Sequence, residues 1–352
     1  MHAHIGGVLG LVALLASACS FPVAQNPSPG PSHSPQSSRV TPTTPSTPGV
    51  SPLLGHIAYV RRATSDGPGV IWVMKADGTG DSMLTDGEAP AVSPNGKSIA
   101  FGTFTAPWRI HVINLDGSSP AELTDGGVLP QGYSGGDSDP AWSHDGTRIA
   151  FIRSHIPEAD SDGVYVMNAD GSGIGRVSDN NRAFHLAWLA NDQGIAFEAL
   201  EDPTSQSFHF VLVAVNLDGS NRRLLFSVPG QNAGRLAVAP DGTHFAFDIS
   251  PQCPAVPSPP TQCNSLLELC QIMVAGSDMQ PVQVTHEGPA DPIPILTPGR
   301  CSELPSWSPD SSKLVFDDMH QIWVMDADGS NRRQITPNLG LYFVSLPVWT
   351  AA

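Results

Sequence analysis

Five times in this chain a tryptophan or valine is followed, nine residues on, by a phenylalanine, with a turn between the two. Trp142 stands in this relation to Phe151, Val92 to Phe101, Trp188 to Phe197, Val238 to Phe247 and Trp307 to Phe316. The fullest copy reads Pro140-Ala141-Trp142-Ser143, then His144-Asp145-Gly146-Thr147, then Ile149-Ala150-Phe151. A sixth copy is split between the ends of the chain. Ile57-Ala58-Tyr59 lacks the upstream half, and Pro347-Val348-Trp349-Thr350 lacks the downstream half. Fragments that complete each other place the two ends side by side, so the repeat predicts a closed ring rather than an open stack.

Each copy continues alike. A second apolar run follows at residues 71–74, 110–113, 164–167, 212–215 and 322–325, short and rich in β-branched and aromatic residues. That composition suits strands buried between neighbouring sheets. Asp-Gly pairs come next, at Asp77-Gly78, Asp116-Gly117, Asp170-Gly171, Asp218-Gly219 and Asp328-Gly329; glycine accepts the positive φ of tight hairpin turns. A last short strand is expected at residues 83–85, 122–124, 176–178, 283–285 and 334–336. Four strands per unit in six units predict an all-β chain: a six-bladed β-propeller of four-stranded antiparallel blades, its ring closed by the C-terminal strand joining blade one.

The string Pro-Ala-Trp-Ser-x-Asp-Gly-x-x-Ile-Ala-Phe, followed by Val-Tyr-Val-Met-Asn-Ala-Asp-Gly-Ser, resembles the WD40-like repeat of TolB-type propellers. The match recurs in register from roughly residue 54 to the C-terminus. It implies the fold. The Tol-system role is not carried over, because no amino-terminal α/β domain is expected ahead of the ring. Similar propellers precede the catalytic domain of prolyl-oligopeptidase-like peptidases, and no such hydrolase domain is expected here. Propellers serve many chemistries, so the fold alone names no function.

The N-terminal region divides in two. Residues 1–18 read as a signal peptide: an apolar run from Gly6 to Ala18, too short to span a bilayer comfortably. Leu15-Ala16-Ser17-Ala18-Cys19 resembles the lipobox of bacterial lipoproteins, in which the cysteine thiol is diacylglycerated and becomes the new N-terminus. Ala16 stands where leucine is usual, and Ala16-x-Ala18 also suits ordinary signal peptidase. Residues 19–53 read as a lipid-anchored Pro/Ser/Thr-rich spacer. From Phe21 to Pro52 its only Lys or Arg is Arg39, and it has no Asp or Glu. Such a segment cannot bury enough apolar area to offset its ordering entropy. Residues 54–352 form the propeller.

Lys plus Arg number 17 against 33 Asp plus Glu, a formal charge of −16. Nucleic acid is thereby excluded as a partner, since phosphate binding needs a basic face. The lipid bilayer, through the acyl anchor on Cys19, and an envelope protein or glycan are the partners expected of a monomeric head. No cofactor is expected. Four cysteines remain, Cys253, Cys263, Cys270 and Cys301, an even number in an exported chain, which favours disulfides over zinc. Aligning blade five on blade six from Thr285 with Thr336 sets Cys270 opposite Gln321, on the same face as Cys301. Cys253 and Cys263 flank the excursion 254–262. The pairing expected is Cys253–Cys263 and Cys270–Cys301, out of three possible connectivities.

In a four-stranded antiparallel blade the first and third hairpins share one end. The second hairpin and the crossover share the other, and here that end carries the long connections, residues 126–139, 153–163, 198–207, 250–265 and 286–304. Long loops on a rigid scaffold are where recognition concentrates. The candidate binding residues on that face are Tyr133, Asp137, His155, His185, His286, Arg300 and His320. Propellers that bind a divalent metal at the channel mouth for polysaccharide β-elimination supply the alternative, a metal-dependent lyase, against which the four histidines come from unlike blade positions. Calcium loops are a weaker reading of Asp326-Ala327-Asp328-Gly329 than hairpin turns. Trp142, Trp188, Trp307 and Trp349, at one repeat position, read as blade-to-blade packing rather than a ligand platform. No catalytic and no metal-ligating residue is assigned.

Overall fold

The computed structural model describes residues 53–64, 66–127, 135–155, 162–179, 182–201, 209–227, 231–251, 270–285, 302–318, 320–336 and 343–350. For His155, Glu201, Pro251, Ser302, Glu303 and Phe343 it describes the backbone only. The chain separates into two units, Met1–Val50 and Ser51–Ala352, and every described residue belongs to the second.

Strands β1 (His56–Arg62), β2 (Val70–Lys75) and β3 (Ser82–Asp86) open blade one. Blade two is β4 (Glu88–Val92), β5 (Ser98–Gly102), β6 (Ile110–Asn114) and β7 (Ala121–Glu122). Blade three is β8 (Gly135–Trp142), β9 (Arg148–His155), β10 (Gly163–Asn168) and β11 (Gly175–Ser178). Blade four is β12 (Ala183–Trp188), β13 (Gly194–Glu201), β14 (His209–Asn216) and β15 (Arg223–Phe226). Blade five is β16 (Gln231–Val238), β17 (His244–Pro251), β18 (Gln271–Gly276) and β19 (Pro281–Gln283). Blade six is β20 (Ser302–Trp307), β21 (Lys313–Asp318), β22 (Gln321–Asp326) and β23 (Arg333–Gln334). The last strand, β24 (Phe343–Trp349), pairs antiparallel with β1, Trp349 opposite Ile57 and Val348 opposite Ala58. Six antiparallel sheets of four strands result, the first completed from the far end of the sequence.

The core lies between blades. Each of six apolar clusters joins two neighbours, and one joins blade six to blade one through Val315, Ile322 and Val324 against Ile57, Tyr59 and Trp349. Tyr59, Phe151, Phe197, Phe247 and Phe316, one repeat position, are fully buried. Burying one such ring contributes about 1.5–3 kcal/mol, so the repeat conserves the strongest apolar contact of each blade. The tryptophans serve the same interfaces. Trp188 Nε1 donates to the Ala141 carbonyl of blade three at 2.9 Å, and Trp307 Nε1 to the Ala237 carbonyl of blade five at 3.2 Å.

Two details differ from the sequence reading. The outer strands of blades two, five and six end earlier than expected, because a threonine hydroxyl takes over from the ladder: Thr124, Thr285 and Thr336 accept from the backbone N–H of Ile110, Ile272 and Ile322 at 3.0, 2.8 and 2.9 Å. Cys270 aligns with His320 rather than Gln321, since Gln271 and Gln321 begin equivalent strands and the blade-six turn is one residue longer. Blade five has Asp278-Met279 at the turn where the other blades have Asp-Gly. Met279, φ 54°, occupies the left-handed position that Gly78, φ 90°, holds in blade one.

The Asp-x-Asp-Gly segments are turns. Asp328 Oδ1 accepts from the Ser330 N–H at 2.9 Å and the Ser330 hydroxyl at 2.6 Å, while Asp326 is engaged by Lys313 and Asn331. The same carboxylate-to-hydroxyl arrangement holds Asp77, Asp116, Asp170 and Asp218, and it lowers the pKa of each.

Candidate functional site at the channel mouth

The innermost strands, β24, β4, β8, β12, β16 and β20, surround the ring axis. A cavity of about 200 Å³ runs between them, lined by Ala91, Ala141, Ala187, Ala237, Ser306 and Val348 from the six blades in turn. Small residues there let the six strands converge. On the loop-rich side the channel opens into a cavity of about 640 Å³.

A slip in strand register shapes the junction between the two spaces. In every innermost strand the pairing with the second strand shifts by a bulge, as between Ser138 and Ala141 or Phe184 and Ala187. Bulges re-aim side chains next to functional sites. The residue three before the Trp/Val position sits in that bulge: Ala89, Asp139, His185, Arg235, Leu304 and Leu346 around the ring. Five of the six have φ between 47° and 59°, a left-handed conformation that costs a non-glycine residue about 1–2 kcal/mol. Three consecutive blades, three to five, thus present an acid, an imidazole and a guanidinium at one level.

His185 Nδ1 lies 2.8 Å from Glu198 Oε2. Burial alone would lower the His185 pKa; the hydrogen bond to Glu198 and the charge of Asp139 outweigh it and, against Arg235, raise the pKa overall. Arg235 is flanked by Asp139 and Asp248, and its Nη1 is buried without a hydrogen-bond partner. Across the cavity Arg62 pairs with Glu88 and donates to Ser345 Oγ at 2.8 Å. Burial raises the Glu88 carboxyl pKa against the opposing pull of Arg62.

The wall of the mouth is stitched from two blades. Trp108 N–H donates to the Gly135 carbonyl at 2.8 Å, and the Asp137 N–H to the Trp108 carbonyl at 2.8 Å. Gly136 makes this approach possible: at φ 131° a Cβ there would lie 2.3 Å from the Trp108 carbonyl oxygen. Two rings flank the opening with much of their surface free, Phe104 at 47 % and Phe184 at 42 % exposure. Phe184 meets Phe210 edge-on at 5.8 Å, which fixes its orientation.

The expected residues divide sharply. His185 lines the mouth cavity. Asp137 is fully buried and held by Arg153 through bonds of 2.7 and 2.8 Å, so it braces the wall rather than facing a ligand. His320 is exposed in the β21–β22 turn, outside the residues lining the cavity. Tyr133, His286, Arg300, Cys19, Cys253, Cys263 and Cys301, and the side chain of His155, lie outside the described residues. Cys270 is buried beside β18. Among the described residues no group of three His, Cys, Asp or Glu side chains is arranged to hold a metal. One Gly-x-Ser-x-Gly string occurs, Gly132-Tyr133-Ser134-Gly135-Gly136; its last two residues open strand β8, where a hydrolase elbow would run into a helix. Sequence reasoning missed Arg235, Asp139, Phe104 and Phe184. The first two stand three positions before Val238 and Trp142, and following that one position around all six copies would have exposed the polar arc.

No protein-family model matches this chain, and no curated protein matches it in sequence. Solved structures do. TolB from Acinetobacter baumannii superimposes with a TM-score of 0.60 at 18% identity, over 84% of this chain and 66% of that one; the match thus spans just under two thirds of that protein. A putative TolB from Agrobacterium tumefaciens gives a TM-score of 0.54 at 14% identity, over 85% of this chain and 99% of that one. A chain of a nidogen/laminin complex gives 0.57 at 11% identity, over 83% and 97%. At these identities the likeness concerns architecture. With its six four-stranded blades closed by the C-terminal strand, the chain has the fold of the TolB-like six-bladed β-propellers.

Proposed function

We propose that this propeller is a binding module of the cell envelope that holds an envelope protein or glycan at its channel mouth. The observation that carries the reading is the 640 Å³ opening, which combines the exposed rings of Phe104 and Phe184 with Asp139 and His185, while Arg235 lines the adjoining channel. Concave sites with an apolar lining and a few convergent polar groups are the usual form of ligand pockets. The sequence supports the setting. Residues 1–18 serve export, Cys19 carries the lipid, and the Pro/Ser/Thr-rich spacer lets the head reach away from the bilayer. Cys253–Cys263 and Cys270–Cys301 are the disulfides that suit an oxidising compartment.

The test is capture from cell-envelope extract by the detergent-solubilised chain and by a Phe104→Ala/Phe184→Ala double variant. Loss of most of the captured material, with an unchanged melting temperature, is the expected result. Equal capture by both would overturn the reading. Cys19→Ala tests the anchor separately: the variant should leave the membrane fraction, and unchanged partitioning would remove lipidation.

A further inference from the structure

Resting on that reading of the mouth, we infer that its ligand is a neutral, hydroxyl-rich glycan rather than a charged polysaccharide. Three independent observations converge.

The charges at the mouth leave no place for an anion. Asp66, Glu88 and Asp139 line the cavity together with Arg62 and His185. Arg62 is paired with Glu88, and His185 is bonded to Glu198. Arg235 stands between Asp139 and Asp248, so a uronate or phosphate brought to it would be a third anion around one guanidinium. Like charges set side by side at a desolvated interface repel, which disfavours such a partner.

Hydrogen-bonding capacity is nevertheless unspent. Arg235 Nη1, in the lining of the channel that adjoins the mouth, is buried with no acceptor, and Asp139, in the mouth itself, has no side-chain hydrogen bond among the described residues. One is a pure donor, the other, ionised, a pure acceptor. A sugar hydroxyl both donates and accepts, so adjacent hydroxyls answer both groups without adding charge.

The rings complete the match. Phe104 and Phe184 offer flat apolar faces in the same cavity as Asp139 and His185, suited to the C–H face of a pyranose as they are to any amphipathic ligand. Phe184 is braced by Phe210 and keeps that face toward the opening.

The experiment titrates the detergent-solubilised full chain with neutral manno-, gluco- and galacto-oligosaccharides, with oligogalacturonate of matched length, and with an unrelated extended peptide, by calorimetry. At least one neutral series should bind about tenfold tighter than oligogalacturonate, and its affinity should change less than about twofold between low and high salt. Phe184→Ala and Asp139→Asn should each weaken it about tenfold without moving the melting temperature, and Arg235→Met should do the same if it folds. Tighter, steeply salt-dependent binding of oligogalacturonate would overturn the inference. So would peptide binding alone, or no binding by any neutral series; in those cases the module reading still stands if the double phenylalanine variant loses capture from envelope extract. If capture is unaffected as well, both readings fall.

Discussion

The indole Nε1 of Trp349 donates to the carbonyl of Leu54 at 2.9 Å, across 295 residues of sequence. Around this bond Trp349 packs with Ile57, Tyr59 and Val315, so one side chain near the C-terminus holds both the start of the ring and its last blade. Trp349→Ala should therefore destabilise the head by about 3–5 kcal/mol, as expected for a truncated buried tryptophan. Ending the chain after Thr336 removes β24 and leaves β1 as an unpaired edge, a hazard for aggregation. Size-exclusion chromatography and thermal melting check both. A truncated chain that stays monomeric and melts like the parent would contradict the closure.

Met279 adopts φ 54° where the equivalent turns have glycine, as at Gly78 with φ 90°. Met279→Gly should raise stability by about 1 kcal/mol, since the left-handed conformation costs an ordinary side chain about that much. Urea denaturation measures the gain. An unchanged or lower midpoint would mean that Met279 makes contacts worth more than the strain.

Gly136 has the opposite sensitivity. Its missing side chain leaves room for the Trp108 backbone, with nitrogen and carbonyl oxygen 2.4 and 2.3 Å from a hypothetical Cβ. Gly136→Ala should cost about 1–3 kcal/mol and loosen the loop that walls the mouth. Faster amide exchange at Trp108 and Asp137 than at the opposite rim would show where the damage falls.

The fold was legible because it is written as repetition. The Trp-to-Phe spacing, the split copy and the turn residues at Asp145-Gly146 each recur in register, and the buried rings of Phe151, Phe197 and Phe316 follow from them. The site was legible only at His185. Asp137 looked like a surface acid because it lies in a long connection, yet Arg153, on a strand of the same blade, buries it. Arg235 and Asp139 look unremarkable singly, and their meaning comes from equal depth in neighbouring blades, a relation only ring geometry supplies. Phe104 and Phe184 share no motif, since exposure depends on where loops fold back.

His185 makes stability pH-dependent in a defined direction. Its pKa is raised above 6.5 in the folded state. The stabilisation it contributes is thus fully present below pH 6.5 and is lost as pH rises through the folded pKa. Burial pulls that value down, Glu198 and Asp139 raise it, and Arg235 opposes the two acids. Urea midpoints from pH 5 to 9, compared with those of His185→Gln, should show the parent's advantage shrinking toward high pH. An advantage that grows with pH would reverse the assignment.

The most direct test of the mouth as the binding surface is photo-crosslinking in intact cells. A p-benzoylphenylalanine replaces Phe104 or Phe184 at the mouth, or Leu224 or Val282 on the outer rim, where those two side chains are 55% and 64% exposed. Benzophenone inserts into C–H bonds of proteins and glycans alike, so the readout does not presuppose the ligand. Adducts should form at Phe104 and Phe184 and stay at background at Leu224 and Val282. Adducts at the rim that equal or exceed those at the mouth would contradict the account.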